Sequence, residues 1–176
     1  YNVRVKTLPE KTMIAPHGSA ELNPRYVMDE AQRAALTADA EKLPSLLLTS
    51  AAAANAVMLG AGYFNPLSGY MSKTEALSVA ETMHTPSGLF WPVPIMNLTN
   101  EAVDFAPGTR IALRDPNVEG HPVIAVQTVT EVEQMSEEES ETIVRAVFNT
   151  DDQDHPGVAT FLSLIHISEP TRPLYI

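Results

Sequence analysis

The chain has 176 residues, with 11 Lys and Arg against 22 Asp and Glu and a net charge of −11; that length fits one ordinary domain, or a domain and a stub. A hydrophobic fraction of 44% with 19% charged residues supplies a packed core and excludes wholesale disorder, while the acidic balance disfavours a general phosphate-backbone binder, which needs Lys or Arg at its phosphate contacts. With no cysteine, disulfides, Cys-ligated zinc and thiol catalysis are excluded.

The longest nearly apolar stretch, residues 51–63, is interrupted by Asn55 and falls far short of a membrane span. No opening segment reads as a signal peptide, and the start at Tyr1 instead of Met reads as a truncation.

In chain order, Ala31, Ala34, Ala35 and Ala38 fall at i, i+3, i+4 and i+7, a small-residue stripe on one side of a helix expected over 29–43 and ended by Pro44. Residues 45–49 (Ser-Leu-Leu-Leu-Thr) read as a short strand. Ser50 is then placed to cap an alanine-rich helix that stops at Gly60 or Gly62. Ser72, Lys73, Thr74 and Glu75 spell a capping box, with Ala76, Val79, Ala80 and Met83 as the apolar face behind it. Pro86, Ser87 and Gly88 turn the chain. In residues 90–95 (Phe-Trp-Pro-Val-Pro-Ile) neither proline can donate to a ladder, so an edge or irregular strand is expected.

A turn at 106–109 leads into a strand over 110–114, where Ile111 and Leu113 share a face. A loop over 115–121 joins it to a second strand over 122–133, with Ile124, Val126, Thr128, Thr130 and Val132 alternating on one face, and the two runs form a long hairpin. Ser136 to Glu139 spells a second capping box, starting a helix with Ile143, Val144 and Val147 inward. Asp154, His155 and Pro156 read as an N-cap region with Pro at the first position of a last short helix.

The negative charge is local. Residues 1–130 carry 9 basic and 12 acidic side chains, whereas residues 131–161 carry 1 basic and 9 acidic. Glu131, Glu133, Glu137, Glu138, Glu139, Glu141, Asp151, Asp152 and Asp154 make up the patch. They lack the glycine and the alternating spacing of a calcium loop, so a solvated helix face and loop is the expectation, with a divalent-cation site as the alternative.

Catalytic signatures are missing. His17, His84, His121, His155 and His166 are scattered and form no His-x-x-His or His-Glu-x-x-His pair. Neither phosphate-cradling glycine loop occurs, nor a Gly-x-Ser-x-Gly elbow. Ser19 near His17 would be a nucleophile and base only if the two faced each other; within Pro16-His17-Gly18-Ser19 a structural turn is the expectation. Trp91, beside two prolines, is read as a core plug.

Three stretches carry a family resemblance: residues 14–18 (Ile-Ala-Pro-His-Gly), 62–71 (Gly-Tyr-Phe-Asn-Pro-Leu-Ser-Gly-Tyr-Met) and 88–95 (Gly-Leu-Phe-Trp-Pro-Val-Pro-Ile). With 111–115 (Ile-Ala-Leu-Arg-Asp) and 154–158 (Asp-His-Pro-Gly-Val) they resemble, in order, the N-terminal domain of ATP sulfurylase. The stretch 50–62 is most similar to the branch found in sulfur-oxidising and sulfate-reducing prokaryotes. The resemblance implies an α+β fold, a PUA-like mixed β-barrel with surrounding capped helices. It also implies that the family's reaction, ATP plus sulfate giving adenosine 5′-phosphosulfate and diphosphate with Mg-ATP expected, is carried by a following nucleotidyltransferase domain. There Gln-x-Arg-Asn and His-x-x-His segments hold sulfate and phosphates. Neither occurs here, since Gln32-Arg33 is followed by alanines. No catalytic, cofactor-binding or metal residue is therefore assigned, and no cofactor is expected for this chain. In the 62–71 block Pro66 sets a turn and Gly69 allows close backbone approach.

The expected division is 1–161 as the PUA-like N-terminal domain and 162–176 as a non-native tail, with the catalytic nucleotidyltransferase domain absent. From Leu162 onward the string Leu-Ser-Leu-Ile-His-Ile-Ser-Glu-Pro-Thr-Arg resembles translated sequencing adapter; a genuine divergent strand is the alternative. Leu162 to Ile167 is an apolar segment that either frays or pairs with an exposed edge. The expected partners are the downstream catalytic domain of the same chain and, in the parent enzyme, further copies in a homo-oligomer, in the cytoplasm, with no nucleic acid and no membrane. The alternative function is a free-standing PUA-like nucleic-acid-binding or interaction module, which should display a basic stripe.

Overall fold

Secondary structure in the computed structural model begins with helix α1 (Glu30–Ala40), strand β1 (Ser45–Leu47) and helices α2 (Ser50–Gly60) and α3 (Lys73–Thr82). Strands β2 (Leu98–Thr99), β3 (Arg110–Arg114) and β4 (Val123–Gln134) follow, then α4 (Glu137–Phe148), α5 (Pro156–Leu162) and β5 (His166–Tyr175). The structure describes residues 14–99, 103–164 and 166–175, the last stretch as backbone alone.

The sheet runs in the order β1-β3-β4-β5-β2. β1 is parallel to β3 and every other pairing is antiparallel, so the sheet is mixed. Its edge strands approach each other, because residues 45–49 on one side and Thr99, Val103 and Leu164 on the other line a single hollow. The expected hairpin is β3 with β4. The expected irregularity at 90–95 is also present: Phe90 makes an isolated bridge with His84, and residues 91–95 join no strand.

Local signals place the helix ends, with corrections. Thr49, not Ser50, caps α2: its backbone is extended and its Oγ1 accepts from Ala52 N at 3.1 Å, while Ser50 is already helical and donates to Asn117 Oδ1 at 2.7 Å. Met83 does not continue the apolar face of α3; it ends the helix in the left-handed region at φ 55° and is 52% exposed. The alanine stripe of α1 faces solvent. Leu36, Ala40 and Leu43 cover Ala112, Val123 and Val126 instead, since the larger side chains remove more apolar area from water. α1 also stops at Ala40, short of the expected end at 43, and Pro44 accepts from Ala112 N as β1 begins.

The alternation expected along β4 is broken twice. Leu113 pairs with Ala125 but Arg114 pairs with Val123, so Ile124 is an extra residue in a bulge; the pairing with β5 shifts again between Val129 and Glu131. Each bulge reverses which residues face inward. Val123 and Val126 consequently meet α1, whereas Ala125 and Val129 are buried in the main core and Ile124 and Val132 pack at its margin; Thr130, expected on the same face, is exposed.

Beyond the expected boundary at 161, Leu162 completes α5 and Leu164 packs partly on the core. The backbone of β5 then lies between β4 and β2. Ile165 and Ile176 lie outside the described residues.

Both expected capping boxes are formed, and α3 and α4 meet at them. Glu139 N donates to Ser136 Oγ at 3.2 Å, and Ser136 N donates to Glu139 Oε2 at 2.7 Å. Lys73 Nζ lies 3.2 Å from Glu139 Oε1. The Ser136 backbone bond, against the opposing effect of burial and with help from Lys73, holds the Glu139 carboxyl below the usual glutamate range. As the pH falls, the unfolded chain takes up this proton before the folded one does. The contribution is therefore complete above the ordinary glutamate range and is lost as the pH falls through the lower folded-state value. Urea unfolding is expected to show an advantage of about 1 kcal/mol over Glu139→Gln near pH 6 that narrows toward about pH 3. A gap independent of pH would contradict this role.

Candidate functional site

Three of the family-like stretches meet at one place. His17 Nε2 donates to the Phe90 carbonyl at 2.8 Å, and the His17 ring sits 6.0 Å from that of Trp91. Buried Asn65 ties the arm down: its Nδ2 donates to His17 O at 3.2 Å and Ser19 Oγ at 2.6 Å, and Asn23 N donates to its Oδ1 at 3.2 Å. Gly18 has φ +68°, and a Cβ there would fall 2.9 Å from Pro66 Cγ and 3.0 Å from Leu89. Trp91 is 7% exposed and Phe64 packs edge-on against it at 6.0 Å, the core plug expected from its neighbours. Met71 N donates to Ile95 O at 2.7 Å. These contacts make the shared blocks a clasp between the arm at 14–23 and the body of the fold.

Beside the clasp is an apolar groove of about 450 Å³, walled by α2, α4, α5 and residues 93–98. Phe148 and Phe161 meet edge-to-face at 6.5 Å on its wall, and the Phe148 ring also contacts that of His155 at 5.5 Å. Gly157 makes this possible, because a Cβ there would sit 2.6 Å from Phe148 Cε1. Among the described residues Thr49, Asn55 and Thr160 are the polar residues lining the groove, and no charged side chain lines it. Among those residues there is no cationic group of the kind that binds sulfate or a polyphosphate, and the Asn55 amide is a side-chain N–H donor.

Among the described residues, the remaining sequence candidates do not assemble into a reactive centre. Ser19 Oγ donates to Glu21 O and accepts from Asn65, while His17 faces Phe90, so the two form no nucleophile and base pair. His84 contacts the Phe90 ring, His121 has φ 46° in the loop before β4, and His155 caps α5 through Nδ1 to Val158 N. The side chain of His166 lies outside the described residues. In the acidic region Arg145 pairs with Glu141 and Asp151. Among the described residues no group of three or more His, Asp or Glu is arranged to hold a metal ion, and no helix is long and apolar enough to cross a membrane. The groove itself was missed from sequence. Val147 was legible as inward-facing, but helical periodicity does not say whether another element covers that face.

A family model described as a PUA-like domain matches residues 14–167. The sulfate adenylyltransferase of Alcanivorax borkumensis is 54% identical over 151 residues, which are 86% of this chain and 38% of that protein. That of Allochromatium vinosum is 53% identical over 151 residues, with the same two shares. The sulfate adenylyltransferase of the Riftia pachyptila sulfur-oxidizing endosymbiont is 40% identical over 164 residues, 92% of this chain and 37% of that protein. The chain thus spans less than two fifths of the length of these relatives. Among solved structures, the hexameric APS kinase from Thiobacillus denitrificans matches with a TM-score of 0.63 and 24% identity, over 93% of this chain and 27% of that one, a likeness of fold.

Proposed function

Because the chain belongs to the PUA-like domain family, we propose that it is the N-terminal, non-catalytic domain of a sulfate adenylyltransferase, an enzyme that joins ATP and sulfate into adenosine 5′-phosphosulfate with release of diphosphate. The observation that carries this reading is the 54% identity over 151 residues to one such enzyme. A sulfate oxygen attacks the α-phosphorus in that reaction and the bond to the diphosphate breaks, so charge builds on phosphate oxygens and calls for cationic or N–H donors. Among the described residues the apolar groove offers no cationic donor, which supports placing the chemistry, with its Mg-ATP and sulfate, in a domain that follows this one. In this reading the domain shapes the interface with that catalytic domain and the oligomer of the whole enzyme, in the cytoplasm and without nucleic-acid or membrane partners.

The same reading takes 1–161 as the native domain and 162–176 as a tail read from adapter sequence. The coding nucleotides test that division, and codons unlike any adapter would overturn it.

Function is tested in two steps. The 176-residue chain incubated with Mg-ATP and sulfate is expected to release no diphosphate, and turnover would place catalysis here instead. Residues 14–161 exchanged for the matching segment of the Alcanivorax borkumensis enzyme are expected to give a chimera that forms adenosine 5′-phosphosulfate. A folded but inactive chimera would overturn the assignment.

A further inference from the structure

We propose that His155 is a proton-sensitive latch on α5: it holds the first turn of the helix while its imidazole is neutral and releases that turn when the ring takes up a proton.

Four histidine side chains are described, and their hydrogen bonds are of two kinds. His17 Nε2 donates to Phe90 O at 2.8 Å, His84 Nδ1 to Thr82 O at 2.7 Å and His121 Nδ1 to Asp115 O at 3.1 Å. A carbonyl oxygen only accepts, so these three bonds are made by a neutral and by a charged ring alike. His155 is the opposite case among the described residues, because its Nδ1 accepts from the backbone N–H of Val158 at 3.4 Å. That nitrogen accepts only while it is bare, which places the proton of the neutral ring on Nε2. A second proton turns Nδ1 into a donor aimed at another donor and sets a positive charge at the positive end of a helix, so the bond is lost.

The place of the bond gives its loss a consequence. Helices α1 to α4 start on Asp29, Thr49, Ser72 and Ser136, whose side-chain oxygens accept; carboxylates and hydroxyls stay acceptors near neutral pH, and imidazoles do not. α5 has 7 residues, so its first turn is about half of the helix. It carries buried Val158 and Phe161, and Phe161 rests edge-to-face on Phe148. The Phe148 ring in turn contacts the His155 ring at 5.5 Å, with Gly157 packed so closely between them that a Cβ would fall 2.6 Å from Phe148 Cε1 and 3.1 Å from His155 Cε1. A His155 ring that turns away therefore loosens the Phe148 contact on which α5 leans.

His155 is exposed, so water reaches it. The charged groups on the elements around it are Asp151, Asp152 and Asp154 in the loop before α5 and Glu141 and Arg145 on α4, while α2, α5 and residues 93–98 carry none. Arg145 is held by Glu141 and Asp151. The exposed carboxylates of Asp152 and Asp154 give an imidazolium that has left the helix an alternative partner.

Nuclear magnetic resonance of the 176-residue chain tests the latch residue by residue. His155→Asn supplies an oxygen that accepts at every pH, and His155→Ala supplies no acceptor. At about pH 7.5 the protection of the Val158 and Ala159 amides from solvent exchange should match that of His155→Asn; at about pH 5.5 it should fall about 5-fold below that variant and approach His155→Ala. The Val158 amide shift and the His155 ring protons should follow one titration curve. An equal pH dependence in the native chain and His155→Asn would overturn the proposal, because the acidic loop and not the ring would then sense the proton. A Val158 amide that stays still while the His155 ring titrates would overturn it too, a readout that needs no variant.

Discussion

Leu113→Ala is expected to lower the unfolding free energy by about 3 kcal/mol, near the middle of the range for a large-to-small change in a core that cannot collapse. Leu113 is fully buried in β3, between β1 and β4, with Leu46 and Ala125 as its register partners. Both faces of β3 are covered, since Ile111 and Leu113 lie in the main core while Ala112 is closed off by Ala40 and its neighbours under α1. A strand held on both edges and both faces has nowhere to move into the space a leucine leaves. Urea unfolding should show the midpoint falling with an unchanged slope, and melting should drop by roughly 10 °C. A loss under about 1 kcal/mol would mean that the site relaxes and that the packing of β3 is not as described.

The second large effect is expected at Asn65. Asn65→Ala removes three hydrogen bonds at once and leaves the His17 carbonyl, the Ser19 hydroxyl and the Asn23 N–H without this partner. At about 1 kcal/mol for each bond the loss should approach about 3 kcal/mol. Its distribution identifies the mechanism. Amides from 14 to 25 should exchange faster with solvent, together with the His17 contact to Phe90, while those of β3 and β4 keep their order of protection. Uniform loss of protection across the sheet would show that Asn65 supports the core and does not clasp the arm. The three stretches that identify the family are joined through this residue and Trp91, so the variant also tests whether their shared purpose is to hold the arm.

What could be read along the chain follows from how local each device is. Ser72 with Glu75, Ser136 with Glu139, and His155 followed by Pro156 satisfy backbone groups three residues away, so the residues themselves specify the helix starts. Prolines at 92 and 94 deny ladder donors wherever the segment lies, and the loop at 115–121 between two apolar runs specifies the hairpin. The family was legible because its signature is a set of ordered blocks, and the expectation of no catalytic residue came from motifs that are simply not spelled.

Tertiary structure decided what depends on distant partners. Thr49 rather than Ser50 caps α2, a one-residue choice that adjacent hydroxyl residues leave open. The alternation along β4 could not reveal two bulges, because a bulge depends on the register of the neighbouring strand, and each one exchanges the inward and outward residues. The alanine stripe of α1 competes with Leu36 and Ala40, and the face that finds Ala112 and Val126 wins because it buries more apolar area. The groove is the extreme case. Periodicity marks Val147 as inward, and only the arrangement of α2, α4 and α5 leaves it beside an open apolar surface. Local chemistry thus determined where elements begin and which family the chain resembles; long-range packing decided which of the described surfaces are buried and which stay open, since burial is a property of two elements and periodicity of one.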